Sequence, residues 1–316
     1  MTNQIKIKLG CVREQFFTPL YIATNRLENY SYNKNLNNNL FVSKGLELKI
    51  EDCPSGTGDM LNKLKSKELD CAILVTEGFI ASKLNGNDDL IGIGTYVSSP
   101  LCWAASTGNN RDEIQKIEDL KDPKFGISRF SSGSHIMALY LAHLRGWNPN
   151  NLEFKVHQNL TGLADGVTSE DSDLFLWDHF TTKPHYDDGS LRKIGEVVPP
   201  WSSFTIVTTK SFLSQTPVES LQTMLEGIQS SIDQFTQNFD HCIDFIHECL
   251  GYKVEDIKAW YKTVQYPKRV SKLDYNQLIN CTKVLQLAQE EDKANNVDIK
   301  NWIDLRIAQW DNLANL

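Results

Sequence analysis

The sequence predicts a two-lobed α/β protein built on parallel-type sheets and carrying a helical C-terminal extension. Three observations predict it. A chain of 316 residues exceeds what one hydrophobic core usually organises. Its opening alternates strand and helix patterns in a β-α-β-α-β run, which implies parallel pairing with every strand-to-helix corner at the strands' carboxyl ends. A serine- and glycine-rich corner occurs twice, as Ser55-Gly56-Thr57-Gly58 and as Ser131-Ser132-Gly133-Ser134. Residues 1–98 read as the first part of lobe one, 99–202 as lobe two, and 203–316 as a return to lobe one followed by helices.

Taken in order, Ile5 to Gly10 alternates with the period of a strand, and Thr18-Pro19 marks the start of a helix running to about residue 30. Asn33 to Asn39 reads as an exposed polar loop. Leu46 to Ile50 is the second strand, and Met60, Leu61 and Leu64 recur at helical spacing after the glycine corner, with Asp59 in the acidic first turn. Asp70 to Val75 is a short apolar run suited to a strand buried on both faces, and it ends in Thr76-Glu77-Gly78. Leu90 to Val97 is a further strand, and residues 101–106 lead into the second lobe. That lobe contains strands at 124–128, 152–156 and 173–176, and helices at 134–144 and 160–167, with Gly146 stopping the former. Strands at 191–197 and 204–207 bring the chain back. Everything beyond Ser211 reads as amphipathic helix.

Composition narrows the function classes. With 41% hydrophobic residues the chain has ample material for buried cores. A net charge of −8 without any Lys/Arg block argues against a nucleic-acid surface. No run approaches the ~18 apolar residues of a membrane span, and no charged-then-apolar leader precedes the first strand, so the expectation is a cytoplasmic protein. The seven cysteines are an odd set with no C-x-x-C pair, which favours reduced, buried thiols over a disulfide framework or a metal cluster. No G-x-S-x-G elbow, H-E-x-x-H pair or G-K-[ST] loop is present, so no catalytic residue, cofactor or metal is assigned. The sequence is silent on oligomeric state.

The order of Pro54-Ser55-Gly56-Thr57-Gly58, Asp70-Cys71-Ala72-Ile73 through Gly78, Ser128-Arg129-Phe130 through His135, Asp173 through Asp178, and Pro200-Trp201 resembles the type II periplasmic-binding-protein fold. The likeness covers about residues 4–240 and is to the branch that binds sulfonates and thiamine-pyrimidine precursors, particularly its intracellular fungal members. It implies two α/β lobes joined by two crossing strands, closing by a hinge on a ligand held between them.

The corners agree with that picture. Glycine leaves the first amides of a helix uncovered, and these with the helix dipole favour an anion. The expected partner is a small anionic or zwitterionic molecule, a phosphorylated aminopyrimidine or a sulfonate. Its anion meets Ser55, Gly56, Thr57, Gly58 and the 131–134 corner, with Arg13 or Arg129 pairing, and its amine meets Glu77 beside Thr76. Trp177 and Trp201 are placed to sandwich a flat ring, and His135 and Asp178 to hydrogen-bond near it. Two alternatives stand beside this reading. One is a pyrimidine-precursor synthase of the same fold, although the chain lacks that enzyme's cysteine-rich run and Lys-x-x-x-His donor pair. The other is a scaffold docking partners through Trp260, Tyr261, Trp302 and Trp310.

Overall fold

A computed structural model describes residues 4–24, 41, 44–288 and 298–312. Two five-stranded sheets carry the fold. The first contains β1 (Ile5–Cys11), β2 (Leu46–Asp52), β3 (Cys71–Val75), β4 (Leu90–Val97) and β10 (Phe204–Thr209), in the order β2-β1-β3-β10-β4. The second contains β5 (Trp103–Gly108), β6 (Lys124–Ile127), β7 (Glu153–Val156), β8 (Leu174–Asp178) and β9 (Leu191–Val197), in the order β7-β6-β8-β5-β9.

Each sheet is parallel except around one central strand. β1 pairs in parallel with β2 and β3, whereas β10 runs antiparallel to both β3 and β4. Likewise β6 is parallel to β7 and β8, and β5 is antiparallel to β8 and β9. Connectivity explains the reversal. β5 and β10 are the strands by which the chain enters a lobe, and they enter at the edge where their neighbours end: Trp103 pairs with Asp178, the last residue of β8, and Phe204 with Val75, the last of β3. The two connecting segments lie side by side, with the Ser203 N–H donating to Ser99 O at 3.0 Å.

The helices are α1 (Thr18–Ala23), α2 (Thr57–Lys65), α3 (Thr76–Leu84), α4 (Gly133–Arg145), α5 (Leu160–Thr168), α6 (His179–Asp187), α7 (Lys210–Leu213), α8 (Val218–Gln237), α9 (Phe239–Leu250), α10 (Val254–Tyr261) and α11 (Tyr275–Ala288). α4 stops at Gly146, whose φ of 65° is left-handed. The first helix is read only to Ala23, since residues 25–40, including the asparagine-rich stretch, lie outside those described.

One expectation is corrected beyond Ser211. Among the helices sits a two-stranded parallel sheet of β11 (Lys272–Asp274) and β12 (Gln309–Asp311). Three-residue strands are too short to display a period of two, so pattern alone misses them. Of the four tail aromatics considered for docking, Trp260 and Trp302 are buried inside the molecule. Trp260 is 1% exposed and meets Phe16 edge-on at 5.3 Å, while Trp302 is buried against Phe79. Tyr96 and Tyr266 both donate to Phe16 O, at 3.1 and 2.7 Å, tying the C-terminal region to the turn after β1. Lobe two is fastened to the same region from the other side: Lys183 in α6 pairs with Asp256 in α10 at 3.2 Å, Lys253 with Asp187 at 2.8 Å, and the Thr181 and Tyr252 hydroxyls lie 3.1 Å apart.

Candidate functional site

A cavity of about 60 Å³ lies where the carboxyl edges of the two sheets face each other. That volume holds a few waters and is well below the ~300 Å³ at which small-molecule sites begin, so the lobes are closed on one another. Lobe one contributes Val12 and Glu14 after β1, residues 54–57 and Met60 around the α2 corner, and Ile73 and Val75 of β3. Lobe two contributes Ser128, Arg129 and residues 132–134 at the α4 corner, with Trp177 and Asp178 ending β8. Leu101, Trp103 and Phe204 come from the segments that connect the lobes.

The α2 corner is shaped by its N-cap, Gly56, at φ 76° and ψ −161°. Side chains rarely adopt that backbone, so glycine is required there. The Thr57 and Gly58 N–H groups meet no acceptor among the described residues. The Thr57 hydroxyl is already engaged, accepting from the Val75 N–H at 3.1 Å. At the α4 corner Ser132 caps the helix, accepting from the His135 N–H, and Ser134 Oγ accepts from the Ser128 N–H at 2.9 Å. These serines therefore shape the corner and leave the Gly133 and Ser134 amides to face a ligand. A Cβ on Gly133 would stand 2.7 Å from Trp103 Cη2, so the helix start and the indole touch only because that residue is glycine.

Arg129 reaches across from lobe two. Its guanidinium donates to Ser55 O, and its stem covers Gly58, where a Cβ would stand 2.7 Å from Arg129 Cδ. A cation thus rests at the positive end of α2, an arrangement that repels until an anion joins it. The neighbouring Asp59 already pairs with Lys63 at 2.8 Å. Burial accordingly pulls Arg129 below its ordinary value, with Asp59 opposing.

A second, acidic patch lines the same cavity. Glu14 keeps part of its surface open, yet burial of its carboxyl and then the nearby Asp178 push it up to about 8. Asp178 is the N-cap of α6, with Oδ1 accepting from the Thr181 N–H at 2.8 Å and from its hydroxyl at 2.9 Å. Burial raises it too, against those hydrogen bonds. Buried Gln15 lies near enough to influence Asp178, but its amide is outside hydrogen-bond geometry.

The other sequence-selected residues are placed elsewhere. Arg13 is exposed and donates to Cys249 O at 3.0 Å, on the outer side of the turn. Thr76 is buried, its hydroxyl 2.9 Å from that of Thr205. Glu77 and Trp201 face each other inside the molecule, with Trp201 Nε1 donating to Glu77 Oε2 at 3.0 Å and the indole packed against Tyr140. The acid expected for the ligand's amine is therefore corrected: Glu77 is 1% exposed and points away from the cavity because α3 starts directly at the end of β3. Gly58 sits behind Arg129, outside the lining. Ser131, at φ 62°, donates through its N–H to His135 Nδ1 at 3.2 Å, and that ring packs between Phe130 and Phe154.

Among the lining residues that the sequence reading did not select are Glu14 and Trp103. Glu14 follows a strand without any motif. Trp103 is 5% exposed, and its Nε1 N–H finds no acceptor among the described residues. That unpaired, buried N–H faces this cavity. A larger groove of about 570 Å³ between α8 and residues 305–309 has no such group and lies far from both glycine corners. No group of three or more His, Cys, Asp or Glu is placed to hold a metal among the described residues, and no helix there is long and apolar enough to cross a membrane.

Comparison with known proteins agrees with this geometry. Residues 103–197 match the model of the Ca3427-like PBP family. No curated protein matches the chain. The structure of the Candida albicans CA3427 gene product, described as defining a family with the generic periplasmic binding protein fold, is 31% identical with a TM-score of 0.84, covering 97% of this chain and 98% of that one. The Escherichia coli aliphatic sulphonate binding protein SsuA is 13% identical with a TM-score of 0.69, over 96% and 98% of the two chains. The alkanesulfonate-binding SsuA of Xanthomonas axonopodis pv. citri, bound to MOPS, is 11% identical with a TM-score of 0.71, over 98% and 100%. At such identities the last two show the fold.

Proposed function

The chain belongs to the family that the Candida albicans CA3427 product defines, with the periplasmic-binding-protein fold, and from that premise we propose that it clamps a small anionic or zwitterionic molecule between its lobes. The observation that carries this is Arg129 reaching from lobe two to the amino end of α2, where its guanidinium donates to Ser55 O. A phosphate or sulfonate there would meet the guanidinium, the Thr57 amide of lobe one and the Gly133 and Ser134 amides of lobe two. The anion therefore draws the lobes together. The sulfonate ligands of the SsuA proteins support the anion, and Trp103 and Trp177 offer apolar faces for a flat ring such as an aminopyrimidine. The seven cysteines, five of them buried, suit a reducing compartment and support a role inside the cell.

A thermal-shift panel of phosphorylated and sulfonated small molecules, aminopyrimidine phosphates included, tests the reading. At 100 times its Kd a ligand adds about 2.7 kcal/mol of stability, enough to move the transition by several degrees. The expected result is a shift that Arg129→Ala abolishes. A panel without any hit, or a hit indifferent to that substitution, overturns it.

A further inference from the structure

The anion site occupies one end of the cavity, and the other end has the opposite character. Glu14 approaches from lobe one and Asp178 from lobe two, and both line the closed space. Glu14 makes no side-chain hydrogen bond among the described residues, and Asp178 Oδ2 makes none either, since the capping bonds fall on Oδ1. No cation offsets either acid. Arg129, the charged group facing the cavity from the α4 corner, is turned to Ser55, and the titratable neighbours among the described residues are Tyr252, which follows α9, Tyr186 of α6 and Cys102 just ahead of β5. An independent observation that points to a ligand lies in the same wall: buried Trp103 holds an indole N–H that meets no acceptor among the described residues. It stands on the ring edge that includes Cζ2, the edge lying against Gly133 at the start of α4, so it belongs to the acceptor-seeking end.

Resting on the reading above, we propose that the ligand's other end is a protonated nitrogen, an amine or amidinium, held between Glu14 and Asp178, and that it enters in exchange for a proton. Two carboxyls lining one closed space cannot both stay ionised without a cation, burial weighing more than their mutual repulsion, so the unliganded protein keeps a proton on the pair. The pKa of about 8 for Glu14 agrees with that. A nitrogen cation takes over the proton's role, both acids ionise, and the proton leaves to solvent. Charge balances, and the lobes gain a bridge from Glu14 to Asp178 to match the anion bridge at Arg129.

The test uses three small probes on the full chain: methanesulfonate for the anion alone, methylammonium for the cation alone, and taurine for both. Indole fluorescence gives affinity, and calorimetry in buffers of different ionisation enthalpy counts protons. Expected are tighter binding of taurine than of methanesulfonate, release of up to one proton with taurine and methylammonium, and taurine affinity rising from pH 6 to 8. Glu14→Gln should weaken taurine about ten- to a hundredfold, the worth of a charged hydrogen bond, and leave methanesulfonate unchanged. Asp178→Asn, which retains a capping side chain, should do the same. Methanesulfonate bound in an Arg129-dependent way, with taurine no tighter and no proton released, overturns the cation assignment and leaves the clamp standing. Binding of none of the three probes overturns both.

Discussion

At the scale of single residues, Glu77 stands apart from Glu14 and Asp178, the acids that line the cavity. Glu77 accepts from the Trp201 indole, its Oε1 has no partner among the described residues, and burial pushes it up to about 7 despite that hydrogen bond and its own backbone. The folded protein therefore binds a proton there that the unfolded chain has released. Stability is at its fullest below the ordinary value of 4.5 and falls as pH rises to about 7, by roughly 3 kcal/mol in all for a shift of that size. Urea unfolding of Glu77→Gln should show a flatter profile between pH 5 and 8 than the parent, since the amide still accepts from Trp201. An unchanged slope would place the titration elsewhere. Local signals identify this acid at a strand-to-helix corner but not the side its side chain takes. Trp201, more than a hundred residues along, decides that by supplying the one donor that faces inward.

At the scale of elements, the glycine corners were legible because the constraint is local: Gly56 needs a positive φ, and a serine ahead of an apolar helical stretch caps it. Trp103 and Glu14 were not legible, for the opposite reason. Trp103 reaches the cavity because β5 enters its sheet antiparallel, opposite the end of β8, and strand direction is a property of connectivity. The start of α4 joins the two kinds of information, since Gly133 is there to admit Trp103. Gly133→Ala should force the indole or the helix to move, lowering stability by about 1–3 kcal/mol in urea and weakening an anion held by the α4 amides. A variant as stable as the parent with unaltered ligand shift would show that the contact is slack.

At the scale of the whole molecule, lobe closure is secured by contacts well away from the cavity. Lys183, Asp256, Lys253 and Asp187 join α6 to the α9–α10 region, and Tyr252 continues the contact toward Glu14. Partly exposed ion pairs of this kind are worth about 0.2–1 kcal/mol each, so they bias closure without dominating stability. Lys183→Ala with Lys253→Ala should enlarge the radius of gyration of the ligand-free protein in small-angle scattering, while the unfolding midpoint moves little. Scattering identical to the parent would mean that the interlobe contacts at Arg129 suffice.

The paired crossover segments carry one more consequence. Two chains running abreast and laced by Ser203 and Ser99 bend readily about the line across them and resist torsion. A swing of the lobes about that line, like a book's covers, would let the thickness of whatever lies between the pages set the angle at which they rest. A bulkier occupant would then hold the outer clasp apart even while fully bound, and the distance between Lys183 and Asp256 would report its size.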